Sequence, residues 1–197
     1  MRISLALLLS VAIATAVFAV SRDDGDPAVG DTGALTMVGD SLNVGIEPYL
    51  RDELTGWRID AHDRVGRTTA DGIARLRELD GELAPVVSVS LGTNDPDGSE
   101  EGFRAMVDEA IAIAGDGRCL LWATIVRDGT ARTAFNAVLE DATAEHSKLR
   151  LVDWAALTAS AAGLLSADLV HGTPTGYARR AEETARSARA CPRDGSR

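Results

Sequence analysis

The sequence predicts an α/β fold in which a five-stranded parallel sheet lies between two layers of helices, a three-layer α/β/α sandwich. Two observations carry this. After Gly33, short apolar or β-branched runs alternate with stretches whose apolar residues recur at helical spacing, and strands alternating with helices pair in parallel through right-handed crossovers. The run Pro85 to Leu91 (PVVSVSL) is mostly apolar and β-branched, as expected of a parallel strand buried on both faces. Composition agrees: of 197 residues, 45% are hydrophobic and 25% charged, which is ordinary for a globular domain and excludes a disordered tail, a collagen-like chain or a coiled coil.

In chain order, Ala34 to Val38 forms the first strand and ends at Gly39. Asn43 to Leu54 is a helix, with Val44, Ile46, Tyr49, Leu50 and Leu54 at helical spacing. Trp57 to Ala61 is the second strand, Thr69 to Leu79 a helix carrying Ile73, Leu76 and Leu79, and Pro85 to Leu91 the third strand. Ser99 starts the next helix, with Glu100 and Glu101 in the first turn, where carboxylates favour the helix dipole. Cys119 to Val126 is the fourth strand, Ala131 to His146 a helix, Leu149 to Val152 the fifth strand, and Trp154 to Leu165 a short helix. Thr173 caps a last helix with Pro174 at its first position. This pattern is flavodoxin-like. In such sheets the functional crevice lies outside the carboxyl ends of the strands, which directs attention to the loops after Val38, Ala61, Leu91 and Val152.

Residues 1–20 stand apart. Ile3 to Val20 is almost continuously apolar, with Arg2 before it and Arg22-Asp23-Asp24 after it. As a helix of 18 residues it spans about 27 Å, just short of a hydrocarbon core of about 30 Å. A basic start, an apolar centre and small residues at Ala14-Thr15-Ala16 or Val17-Phe18-Ala19 describe an export signal, and an uncleaved anchor tethering the chain to a membrane is the rival reading. Residues 21–33 read as a linker and residues 34–197 as the folded domain. Export, whether to the medium or to the outer face of the membrane, places Cys119 and Cys191 in an oxidising compartment. Both pairing and two separate thiols stay open from the sequence.

The formal net charge of −10 argues against nucleic-acid binding, which calls for a basic face. The three histidines are scattered and show no ligand spacing, so the expected chemistry needs no metal and no cofactor. The loop residues are more informative. Gly39-Asp40-Ser41-Leu42 places Ser41 at a strand-to-helix turn beside free backbone N–H groups and a positive dipole end, although Asp40 or Ser41 also reads simply as a helix cap. Asn43 stands where the second glycine of the G-x-S-x-G elbow would be. Gly66, in Arg64-Val65-Gly66-Arg67, can bring its N–H close to a ligand, or can be a turn glycine. Gly92-Thr93-Asn94-Asp95 offers an amide donor for a developing oxyanion, or an Asx turn before Pro96. Asp168-Leu169-Val170-His171 sets a carboxylate and an imidazole three residues apart, the pair needed to activate a serine hydroxyl. His62 and His146 read as structural or solvated.

Taken in order, these blocks resemble the SGNH hydrolase superfamily, the GDSL-type esterases, over most of residues 34 to 190. The serine block matches as Gly39-Asp40-Ser41, the GxND block as Gly92 to Asp95, the DxxH block as Asp168 and His171, and the glycine block falls at Gly66. The resemblance implies Ser41 as nucleophile, His171 as base, Asp168 as its orienting acid, and the Ser41 N–H, Gly66 N–H and Asn94 side chain as oxyanion donors. Gly172 departs from the family, which often has a proline or a bulkier residue after the histidine.

The implied activity is hydrolysis of a small acyl ester through an acyl-enzyme, for instance an acetyl ester on a saccharide or a cell-wall polymer. Few residues remain for a large lid, which favours a small acyl group or a polymer in an open cleft. Two alternatives accompany this expectation: an O-acyltransferase using the same triad, and a non-catalytic binding module of the envelope, whose mark would be a missing triad member.

Overall fold

The computed structural model describes residues 32–96 and 99–192. The expected export segment and most of the linker lie outside the described residues. The elements run β1 (Ala34–Gly39), α1 (Ser41–Glu53), β2 (Arg58–Ala61), α2 (Thr69–Glu78), β3 (Val86–Ser90), α3 (Glu100–Ala114), β4 (Cys119–Ala123), β5 (Val126–Arg127), β6 (Thr130–Ala131), α4 (Thr133–Glu145), β7 (Leu149–Val152), α5 (Trp154–Ser160) and α6 (Pro174–Arg189).

Five strands form one sheet in the order β2-β1-β3-β4-β7, and every pairing in it is parallel. Side chains alternate across it, as the two-residue period of a strand requires. Val87, Val89, Leu120 and Trp122 face a core shared with α2, α3 and α4 through Ile73, Leu76, Phe103, Val107 and Leu139. Leu35, Met37, Val86 and Leu121 face the opposite core, closed by α1 and α6 through Ile46, Leu50, Ala181 and Ala185. The small inner face of α6 lets it lie close along α1. Cys119, the first residue of β4, is disulfide-bonded to Cys191 just beyond α6, with a Cα separation of 5.9 Å, so the pairing left open by the sequence is made.

Three expected elements are shorter than the pattern suggested. The fourth strand ends at Ala123 rather than Val126, because Val126–Arg127 pairs antiparallel with Thr130–Ala131 in a separate hairpin. Asp128 and Gly129 make its turn, with φ values of 53° and 73°. Asp-Gly with both residues at positive φ is the tight turn whose twist suits a hairpin. That hairpin takes up residues 131 and 132, so the following helix begins at Thr133. The helix from Trp154 ends at Ser160, where Ala161 turns extended and Gly163 takes φ 80°. Leu164 is buried with Trp154 and Val126 as part of a loop, so its apolar character reflects packing rather than helix continuation.

Candidate active site

All four loops singled out in the sequence lie at the carboxyl ends of the sheet strands, and three of them converge. β1 ends at Gly39, and Asp40 caps α1 by accepting from the Leu42 N–H at 2.9 Å. The cap is therefore Asp40, and Ser41 is the first helical residue. Its N–H, like the other first-turn donors of a helix, has no intrahelical partner, and it donates to no acceptor among the described residues.

The imidazole beside Ser41 arrives from the other end of the chain. Ser41 Oγ lies 2.8 Å from His171 Nε2, across 130 residues of sequence. His171 Nδ1 lies 2.7 Å from Asp168 Oδ2. With Nδ1 carrying the proton toward the carboxylate, Nε2 is free to accept from the serine hydroxyl. Asp168 does more than face the ring: its Oδ1 also accepts the Val170 and His171 N–H groups, each at 3.0 Å. Ser166 Oγ lies 2.8 Å from that same Oδ1 and 3.0 Å from the His171 carbonyl. The hydrogen bonds from His171, Val170 and Ser166 hold the Asp168 carboxyl well below the usual carboxylate range, so it is ionised at any working pH. Leu169 sits between the two partners at φ 57°, a left-handed conformation that costs a branched residue energy, and its carbonyl accepts the Gly129 N–H from the hairpin at 2.7 Å.

Asn94 closes the opposite side. Its Nδ2 donates to Asp40 Oδ2 and to the Arg67 carbonyl, both at 3.2 Å, so each amide hydrogen has an acceptor in this structure. Gly92 begins that block at φ 108°, and a Cβ there would stand 2.3 Å from Ile125 Cδ1, which is the physical reason for glycine. Asp95 turns back to α2, accepting the Thr69 N–H at 2.7 Å, and so ties this loop to the Gly66 loop. Gly66 occupies the third position of a turn closed by Arg67 N–H to Arg64 O at 3.1 Å. Its φ of 73° suits glycine there, and its N–H donates to no acceptor among the described residues. Arg67 Nη1 donates to the Gly39 and His62 carbonyls, fastening this loop to the end of β1.

Two carboxyls stand behind the serine. Asp40 is fully buried, and desolvation pushes its carboxyl up against the opposing charge of Arg180. Asp63 accepts from Asn43 Nδ2 at 3.1 Å, and desolvation pushes it up to about 7. The remaining histidines do not join the site: His62 contacts Arg75, and His146 caps α4. The loop after Val152 leads into α5 and contributes none of these groups. Among the described residues no group of three His, Cys, Asp or Glu side chains is placed to hold a metal ion.

No protein-family model and no curated protein sequence matches this chain. Solved structures do. A lipase/acylhydrolase from Enterococcus faecalis superposes with a TM-score of 0.69 at 19% identity, over 80% of this chain and 95% of that one. The C-terminal catalytic domain of peptidoglycan O-acetyltransferase A from Streptococcus pneumoniae gives 0.66 at 17%, over 82% and 96%. A member of the lipolytic G-D-S-L family from Veillonella parvula gives 0.64 at 15%, over 79% and 97%. The fold is that of the GDSL, or SGNH, hydrolases.

Within this SGNH fold, four residues at or behind the site had not been singled out in the sequence, Asp63 among them. Ser166 braces Asp168, and Ser90 and Arg180 stand behind Asp40. Ser166 lies two residues before Asp168, a spacing at which a hydroxyl reaches a local carboxylate. Ser90 is one of two serines in an otherwise apolar buried strand, which marks it as having a polar partner.

Proposed function

We propose that this protein is a carboxylic ester hydrolase that transfers a small acyl group to Ser41 and then to water. The observation that carries the proposal is the continuous Ser41–His171–Asp168 contact, at 2.8 and 2.7 Å. Ser41 Oγ attacks the carbonyl carbon as its proton passes to His171 Nε2, and Asp168 stabilises the imidazolium that forms. The oxyanion draws on the Ser41 and Gly66 N–H groups and on Asn94, which gives up one of its two internal acceptors to do so. As the ester C–O bond breaks, the departing alkoxide takes the proton from His171. Water, deprotonated by the same nitrogen, then releases the acid and frees Ser41.

The expected substrate is a compact acyl ester, such as an acetyl ester of a saccharide. The short connections between the strands and helices around Ser41 leave few residues for a large lid, which supports that reading. We also place the protein outside the cytoplasm, from the apolar segment of residues 3–20 and the Cys119–Cys191 disulfide.

The test is p-nitrophenyl acetate hydrolysis by the purified protein and by Ser41→Ala. Turnover is expected to fall at least about 10³-fold in the variant. Turnover that survives removes Ser41 as nucleophile, and a folded wild type with no turnover removes the hydrolase reading. Repeating the assay with an added sugar alcohol, and weighing acetylated sugar against free acetate, separates transfer from hydrolysis.

A further inference from the structure

Arg180 is 1% exposed, on the face of α6 that packs toward the sheet. Its Nη2 donates to Ser90 Oγ at 2.8 Å, and Ser90, the last residue of β3, donates onward to Asp40 Oδ1 at 3.3 Å. The Asp40 N–H returns to the Ser90 carbonyl at 3.1 Å. Asp40 Oδ1 also accepts the Leu42 N–H, and Asp40 Oδ2 accepts Asn94 Nδ2. The carboxyl thus faces three donors, the surroundings of an ionised, acceptor-only group.

An ionised carboxylate without exposure needs a compensating charge. Arg180 is the cation that opposes the effect of burial on Asp40, and Asp40 is the leading opponent of the effect of burial on Arg180, which is drawn down to about 10. Arg180 itself is poorly served by its contacts. Nε and Nη1 are buried without hydrogen-bond partners, and the Trp154 ring lies 5.5 Å from the guanidinium. A buried cation with two idle nitrogens adds little stability on its own account, so its field on Asp40 is the more informative property.

We propose that Arg180 is a positioning residue: its buried charge keeps Asp40 ionised, and ionised Asp40 holds the Ser41 turn and the Asn94 amide in register for acyl transfer. This rests on the hydrolase reading. The route is short: α6 begins just after the His171 loop, so one helix carries the brace of the nucleophile side and follows directly from the base. Loss of Arg180 leaves Asp40 to take up a proton. A protonated Asp40 is a weaker acceptor for the Leu42 and Asn94 donors, and both the serine turn and the amide loosen. Because Asn94 acts on charge that develops only in the transition state, the loss falls on kcat rather than KM.

The experiment compares full-length wild type, Arg180→Met and Arg180→Lys for kcat and KM on p-nitrophenyl acetate from about pH 5 to 9, alongside melting temperature. Asp63 and Arg67 from the loop after β2, and Tyr177 from α6, also act around Asp40 and Arg180 and remain in every variant, so the reading is the difference between profiles. Arg180→Met is expected to lower kcat about 10- to 100-fold with KM within about 3-fold, the deficit deepening toward acid. Arg180→Lys, which keeps the charge, is expected to regain most of kcat. The proposal is overturned if Arg180→Met keeps the wild-type kcat and profile, or if both variants lose activity equally and in step with melting temperature. Should Arg180→Met fail to fold, Arg180→Gln removes the charge while keeping a donor toward Ser90. A fall in kcat of about 10-fold or more that deepens toward acid supports the proposal, and an unchanged kcat and profile overturn it. Labelling of Ser41 by a fluorophosphonate, read by mass, keeps the two readings apart. A wild type that neither hydrolyses nor labels ends the hydrolase reading and this one together, whereas an active wild type with an indifferent Arg180→Met ends only this one.

Discussion

The two sides of the Ser41–His171 hydrogen bond are built by opposite means. The base side is local and wet: Ser166, Asp168, Val170 and His171 lie within six residues of one another, and the Asp168 and His171 side chains are 51% and 41% exposed. Its geometry comes from short-range hydrogen bonds to one carboxylate. The nucleophile side is dispersed and dry: Asp40, Ser90, Asn94 and Arg180 come from the α1 cap, β3, a loop and α6, and all but Asn94 are buried. Its geometry comes from charges and donors that have lost water and must satisfy one another. A local motif tolerates water because its partners are already neighbours. A dispersed one needs the packed interior to bring its partners together.

The sharpest way to break this contrast is on the base side. Asp168→Asn turns an amide toward His171 and favours the wrong tautomer, so kcat is expected to fall about 10³-fold or more. Melting temperature should scarcely move, because the site is exposed. Steady-state kinetics with a parallel melt decides it, and activity within a few-fold of wild type would mean that the carboxylate does not orient the base. On the nucleophile side, Asn94→Ala removes an oxyanion donor and one Asp40 partner together. A loss of about 10²-fold in kcat with little change in KM is expected, and a variant altered only in KM would reassign Asn94 to substrate binding.

The smallest effect concerns stability. Asp63 has a folded-state value of about 7 against an ordinary 3.8, so between those values the folded protein holds a proton that the unfolded chain has released. Stability from this group therefore declines as pH rises from about 4 to 7 and levels off above that. Asp63→Asn should flatten the decline, with a gain of about 2 kcal/mol above pH 7, read from urea melts at several pH values. Parallel curves for wild type and variant would mean that water reaches Asp63 more freely than its burial indicates.

This contrast also explains what the sequence revealed. The five sheet strands, the Thr173 and Ser99 caps and the DxxH pair are encoded within a few residues, and a single sequence shows them. The hairpin was also locally written, in Asp128-Gly129, but its flanking Val126 merged by hydrophobicity with the strand before it. Leu164 looked helical because burial under a loop leaves the same apolar residue as burial under a helix. Arg180 was illegible for a deeper reason. Beside Arg179 on a charged helix it resembles any surface arginine, and only its place on the stripe of Ala181, Thr184 and Ala188 marks the inward face. Its partners at Ser90 and Asp40 are brought to it by the sheet order, which no local window contains.

The separation of Ser41 from His171 has a consequence for the timing of synthesis. A ribosome completes Ser41, its Asp40 cap and the loops of Gly66 and Asn94 long before it reaches His171, 130 residues after the serine. Arg180 and Cys191 follow later still. A growing chain, or one cut short between Ser41 and His171, holds the serine without its imidazole partner. The order of residues thus sets when the Ser41–His171 contact can first form, only after residue 171 has been made.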